Sequence, residues 1–275
     1  MISEPVTREA VASHYDELDH FYRDVWGEHV HHGLWLRGNE SREEAVLNLV
    51  NLVAREAQIE AGTRVCDIGC GYGATARVLA SRGAEVTGIT ISPAQFAFAR
   101  TKTSSAKFVC ADWMETDLPN DKFDAAIAIE SSEHMPDING FFAQANRVLR
   151  RGGRLVIAAW LSGDTATERQ RRWLLEPVCR EGRMPNMGTV ADYKSLGESN
   201  RFKLDRFQDI TSGVARTWPA IVRRFLAKLA TNPRYISFIL SRHAKNRVFA
   251  LTIFRIWFAY KTDAMRYGVF TFVKN

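Results

Sequence analysis

Cysteine is scarce in this chain, and its placement excludes two common uses of it. Cys66, Cys70, Cys110 and Cys179 form no C-x-x-C pair in 275 residues, so neither a zinc ribbon nor a disulfide framework is encoded. Reduced thiols in a cytoplasmic protein are the expectation. No apolar run reaches the roughly 18 to 20 residues that a membrane span requires. Residues Met1 to Val11 contain Glu4 and Glu9 and no apolar stretch, unlike a signal peptide. Repeats, low-complexity tracts and Ser/Gly linkers are also missing, which argues against tethered independent domains. Acid is absent from one long stretch: Thr211 to Thr262 holds ten Lys or Arg residues and no Asp or Glu. A solvated helical surface accounts for this most simply. Peripheral contact with an anionic membrane, or an anionic substrate, comes next. Nucleic acid comes last, because no recognition motif accompanies the charge.

What is present fits a globular protein. Apolar residues make up 46% and charged residues 25%, which excludes wholesale disorder, collagen and coiled coil. Short apolar runs at Arg64 to Ile68, Glu85 to Ile91, Lys107 to Cys110, Ala125 to Ile129 and Arg154 to Ala159 read as strands. Helical patterns alternate with them at Ala74 to Arg82, from Ser92 to about Lys102, and at Phe141 to Leu149. Ser92, Pro93 and Gln95 form a capping-box pattern at the start of the second of these. Alternation of this kind predicts an α/β fold with a mainly parallel sheet covered on both faces. Lys203 to Ile210 and Tyr267 to Val273 read as an antiparallel edge pair on it.

In such sheets ligands bind beyond the carboxyl ends of the strands. The sequence Asp67-Ile68-Gly69-Cys70-Gly71-Tyr72-Gly73 follows the first strand, and its glycines allow a tight turn and close backbone approach to a ligand. The glycine spacing alone also fits a dinucleotide fingerprint. A nicotinamide enzyme would carry an acid at the end of the second strand, where Thr90 stands. Asp67 suits a ligand with a cationic group near the loop and would repel a pyrophosphate.

With these residues in place, the chain resembles the class I S-adenosylmethionine-dependent methyltransferases. Ala111-Asp112-Trp113 after the third strand, Glu130-Ser131-Ser132-Glu133-His134-Met135-Pro136-Asp137 after the fourth, and Arg147 to Leu155 before the fifth match that family in order. The N-terminal Tyr15-Asp16 and Asp24-Val25-Trp26-Gly27-Glu28-His29-Val30-His31-His32-Gly33, with Gly88 to Pro93, are similar to γ-tocopherol C-methyltransferases and related small-molecule enzymes. Those relatives also carry Thr at the position of Thr90. The resemblance implies a Rossmann-like fold, a seven-stranded mainly parallel sheet with a helical cap, and S-adenosyl-L-methionine as cofactor. It implies that Asp112 meets the adenine amino group and Trp113 its ring.

The cofactor set expected on this basis is Tyr15, His32, Asp67, Gly69, Gly71, Thr90, Ser92, Gln95, Asp112, Trp113 and Glu130. His31, His32 and His134 are candidate acid/base residues, since an imidazole suits removal of a phenolic proton near neutrality. Glu133, His134, Trp173 and Tyr193 are candidate acceptor contacts. His29, His31 and His32 lack a carboxylate or thiolate partner at a recognised spacing, so no metal is expected. The aromatic insert from Leu161 to about Gly188 and the apolar helix Val248 to Tyr260 suggest a roof over a lipophilic phenolic, prenylated or terpenoid acceptor. Methylation of a small amine and nicotinamide oxidoreduction are the alternatives. The layout expected is one domain: residues 1–60 as a helical lid, 61–160 as the cofactor core, and 161–275 as the acceptor cap with the final strands and basic helices. Oligomeric state is left open.

Overall fold

The computed structural model of the chain describes residues 2–3, 5–102, 105–233 and 249–275. Seven strands form its main sheet: β1 (Arg64–Ile68), β2 (Glu85–Thr90), β3 (Lys107–Cys110), β4 (Phe123–Ile129), β5 (Leu149–Ser162), β6 (Phe202–Asp209) and β7 (Met265–Lys274). Their spatial order is β3-β2-β1-β4-β5-β7-β6. The first five run parallel, while β7 is antiparallel to both β5 and β6. The expected antiparallel pair is present, with β7 inserted between β5 and the edge strand β6.

Strand periodicity sorts the core. In β4, Ala125 and Ile127 join the cluster on one face, and Ala126 and Ala128 the cluster on the other. A strand buried on both faces reads as a continuous apolar run, which is why β1, β4 and β5 were visible in the sequence. The strand β5 is longer than its apolar run because Leu149 pairs with Phe123 before an irregularity, after which Arg154 pairs with Ala125. Gly152, with φ of +73°, lies between these two registers and accommodates the turn.

Helices α1 (Arg8–Val25), α2 (Arg42–Glu56), α3 (Ala74–Ser81), α4 (Pro93–Thr101), α5 (Ile138–Val148), α6 (Val190–Ser199), α7 (Thr217–Thr231) and α8 (Phe249–Lys261) flank the sheet. Their starts follow from side-chain caps: Thr7 for α1, Ser41 in a capping box with Glu44 for α2, and Asp137 for α5. A further helical stretch from Glu168 to Glu181 contains a π segment at Arg171–Leu175. A two-residue ribbon joins Ile2–Ser3 to Asn186–Met187. None of the described helices is long and apolar enough to cross a membrane.

Candidate active site

The loops after β1, β2, β3 and β4 converge on a cavity of about 760 Å³, open solvent included, lined by Gly69, Gly71, Thr90, Gln95, Asp112 and Trp113 among others. A neighbouring space of about 360 Å³ shares Gly69 and Gly71 and adds Asp67, His29 and His31. The glycines serve two different purposes. A Cβ at Gly69 would lie 2.4 Å from the Ser131 Cβ, so this glycine is required by packing between two strand-end loops. A Cβ at Gly71 would have only the Gln95 amide at 3.9 Å, so there the missing side chain leaves ligand space.

Asp67 is buried, and burial pushes its carboxyl up to about 7. Its Oδ2 has no hydrogen-bond partner. A buried carboxylate without a cation is costly, and a cationic ligand in the adjoining space would offset that cost. Across the cavity, Thr90 donates from Oγ1 to Gln95 Oε1 at 2.9 Å. Ser92 corrects the expectation: it does not line the cavity. Its hydroxyl accepts from the Gln95 amide at 3.1 Å as the cap of α4 and donates to Asp16 Oδ1 at 2.5 Å, tethering α1. Asp112 accepts from the Met114 amide at 2.9 Å. Trp113 both packs and lines: it is buried, its Nε1 lies 3.4 Å from the Phe141 carbonyl, and it forms part of the cavity wall.

Glu130, at the end of β4, takes a left-handed φ of +52°, rare for a non-glycine residue and a sign of local constraint. Its Oε1 accepts from the His32 amide at 2.7 Å, from His32 Nδ1 at 2.9 Å and from the Tyr267 hydroxyl at 2.8 Å. Burial raises its carboxyl, but the hydrogen bonds from the His32 ring and amide, together with the neighbouring His31, lower it to about 2. His32 Nε2 accepts from Trp218 Nε1 at 2.8 Å, and the Tyr260 hydroxyl lies 3.3 Å away. An indole nitrogen only donates, so this network assigns the ring proton to Nδ1. His32 is therefore removed from the candidate bases and from cofactor contact: it is fully buried, both ring nitrogens are engaged, and it lines none of the described cavities. It orients Glu130 instead. His31 is buried beside the Asp67 space, its Nδ1 donating to the His32 carbonyl at 2.8 Å and its Nε2 3.1 Å from His29 Nδ1. Burial lowers the pKa of both His29 and His31.

His134 stands on a wall shared by the first cavity and a second cavity of about 540 Å³. Tyr15, Val30 and Glu130 lie on the same shared wall. His134 Nδ1 is 3.0 Å from the Arg183 carbonyl, which only accepts, so the proton sits on Nδ1 and Nε2 accepts from the Tyr15 hydroxyl at 2.9 Å. Burial lowers the His134 pKa and raises that of Tyr15, the latter reinforced by Glu130 and Glu133. The second cavity is mostly aromatic and aliphatic, with Tyr22, Trp26, Trp160, Met184, Trp218 and Ile256 in its lining. Glu133 also lines it: burial raises its carboxyl to about 7, although Oε1 accepts from the Trp160 amide at 2.6 Å. The Trp160 Nε1 is buried without a partner.

Two expected acceptor contacts are corrected. Trp173 is 67% exposed and lines no described cavity, because the π segment turns it outward while Leu175 packs inward. Tyr193 is buried behind the site, stacked on Phe270 at 4.9 Å with its hydroxyl 2.9 Å from Ser132 Oγ. The apolar helix contributes Thr252 and Ile256 to the lining of the second cavity; Val248 lies outside the described residues. Sequence reasoning missed Trp160, Trp218, Tyr260 and Tyr267, whose only signal was aromatic identity beyond the recognised motifs. Among the described residues, no group of three His, Cys, Asp or Glu side chains could hold a metal.

The sheet order, the glycine loop with its unpartnered buried acid, and the paired cavities define a class I methyltransferase that uses S-adenosylmethionine. The chain belongs to the mycolic acid cyclopropane synthetase family, which matches residues 3–242. It is 30% identical over 288 residues to the chloroplastic tocopherol O-methyltransferase of Arabidopsis thaliana, covering 96% of this chain and 81% of that protein. It is 37% identical over 231 residues to the 27-O-demethylrifamycin SV methyltransferase of Amycolatopsis mediterranei (strain S699), covering 80% of this chain and 83% of that one. The mycolic acid cyclopropane synthase CmaA1, solved with SAH and CTAB, shares the fold with a TM-score of 0.83 at 19% identity, over 97% of this chain and 98% of that one. Neither the family nor these relatives support the small-amine or nicotinamide alternatives.

Proposed function

We propose that the chain methylates an oxygen, or a ring carbon activated by a hydroxyl, on a small lipophilic acceptor held in the cavity beneath α8. The observation that carries this reading is the Tyr15–His134 hydrogen bond on the wall common to both cavities. A proton acceptor placed there reaches the boundary where methyl donor and acceptor would meet. The apolar lining of the second cavity favours a lipophilic molecule, and the relatives named for tocopherol and demethylrifamycin accord with that.

S-adenosylmethionine supplies an electrophilic methyl group on a sulfonium. Asp67 offers its carboxylate to the positive charge, Gly71 leaves room against the backbone, and Thr90, Gln95, Asp112 and Trp113 border the larger space. Holding the reacting atoms in line and excluding water is worth up to roughly 7 to 11 kcal/mol. The Tyr15 hydroxyl already occupies His134 Nε2, so the acceptor proton passes to Tyr15 as the tyrosine proton moves to Nε2. A concerted relay avoids a free phenolate, which burial disfavours. Glu133 and the Trp160 indole N–H hold a second oxygen of the acceptor. We read residues 1–60 as the lid, 61–160 as the cofactor core and 161–275 as the acceptor cap. The basic surface of the cap suits peripheral contact with an anionic membrane.

Purified protein with labelled S-adenosylmethionine tests the reading. Apolar phenols should be methylated in preference to small hydrophilic amines, and His134→Gln should lower turnover by about 10²-fold or more with S-adenosylhomocysteine affinity retained. Preference for amines, or full turnover in the variant, would overturn it.

A further inference from the structure

Helix α8 has two faces of opposite fate. Ile253, Ile256, Ala259 and Tyr260 are buried, and Thr252 and Ile256 line the second cavity. Phe254, Trp257 and Phe258 are 44%, 40% and 53% exposed, and Lys261 extends the same stripe in the i, i+3, i+4, i+7 pattern of one helix face. Trp173, on the helical segment packed beside α8, adds a fourth exposed aromatic, with the Arg172 guanidinium 5.9 Å from its ring centroid. Scattered apolar residues need no explanation, but several large aromatics on adjoining elements mark an interaction site.

Cations outnumber acids around this face. Glu181 beside it is paired with Arg255, and Glu168, Glu176 and Asp263 stand against Arg169, Arg172, Arg180 and Lys261, which make no ion pair among the described residues. From Thr211 to Thr262 no acid is present at all. Exposed Trp and Phe rimmed by Lys and Arg match the headgroup region of an anionic bilayer, where aromatic rings partition and cations meet lipid phosphates. A protein partner or a second copy would need acids to meet this rim.

We propose that the outer face of α8, together with Trp173, docks on an anionic lipid bilayer. The helix that roofs the acceptor cavity then also touches the phase in which a lipophilic acceptor dissolves. Only that last consequence rests on the proposed acceptor class; the docking does not.

The full chain is sedimented with phosphatidylglycerol/phosphatidylcholine vesicles and with phosphatidylcholine vesicles alone, at low and raised salt. Binding to the anionic vesicles that weakens with salt is expected. The combined Phe254→Ser, Trp257→Ser and Phe258→Ser variant should lose about tenfold or more in partitioning, and Arg172→Glu with Lys261→Glu a similar factor. Both variants should keep wild-type melting and S-adenosylhomocysteine binding. Equal partitioning to the two vesicle types, no binding, or a concentration-dependent dimer abolished by the aromatic variant would overturn the proposal, the last assigning the face to a second copy. No acceptor or turnover is needed, so failure here is separable from failure of the proposed reaction.

Discussion

Tyr15 in α1 and His134 after β4 are 119 residues apart in sequence, and their side chains meet at 2.9 Å. The contact ties the N-terminal segment to the strand-end loops, and it exists only when α1 is docked. Tyr15→Phe keeps the ring and deletes the relay, so kcat should fall about 10- to 100-fold with a smaller change in cofactor affinity. Steady-state kinetics beside calorimetry with S-adenosylhomocysteine separates the two effects. A fall confined to cofactor affinity would make Tyr15 a binding residue only.

The pH profile should show an acid limb below the usual imidazole midpoint of about 6.5, because burial lowers the His134 pKa and keeps Nε2 free of a proton. Measuring kcat/KM for a non-ionising acceptor across the acid range checks this. Glu133, raised to about 7, should make acceptor KM change near neutrality, and Glu133→Gln should flatten that change.

Asp67→Asn should separate stability from binding. With its folded pKa near 7, Asp67 holds a proton in the folded chain over a range where the unfolded chain has released it. Its contribution to stability therefore falls as pH rises from about 4 to 7, by at most on the order of 4 kcal/mol. The unliganded variant should melt at a higher temperature than wild type at and above pH 7. Its affinity for the cationic cofactor should drop, and the tightening of that affinity with rising pH should vanish.

The loop glycines should respond differently to alanine. At Gly69 a Cβ meets Ser131 at 2.4 Å on a backbone with φ of +74°, so Gly69→Ala should destabilise the fold by about 1 to 3 kcal/mol. At Gly71 the nearest atom is 3.9 Å away, so the fold should bear only the strain of its positive φ, about 1 kcal/mol, while cofactor affinity falls. Thermal melting set against calorimetry distinguishes them.

His32→Ala leaves Glu130, Trp218 and Tyr260 without a shared partner in a dry interior. A loss of about 2 to 5 kcal/mol is expected from unfolding curves. His32→Gln, which can restore part of the bonding, should recover some of it.

The parallel half of the sheet was legible because buried strands are continuous apolar runs, and its loops because glycine and acid at strand ends have few other uses. Asp67, Gly69, Gly71, Thr90, Gln95, Asp112, Trp113 and Glu130 line the two adjoining spaces beyond the strand ends. Ser92 was misplaced since a cap and a ligand contact share one sequence signature. His32 and Tyr193 were misplaced because polar aromatics are as useful behind a site as in it, and only long-range packing tells which. Trp173 faces outward through a π segment that no local pattern announced. Trp160, Trp218, Tyr260 and Tyr267 come together from three distant stretches, a meeting that follows from topology alone.

The placement of β7 sets an order of assembly. It follows every other sheet strand in sequence yet lies inside the sheet between β5 and β6, and it carries the Tyr267 hydroxyl that donates to Glu130. During synthesis the parallel half can pair as it emerges, but β5 must wait with one flank open and β6 without its sheet partner. The chamber wall around Glu130 is thus completed late, and a chain stalled before residue 265 would hold a cofactor loop without a finished catalytic chamber.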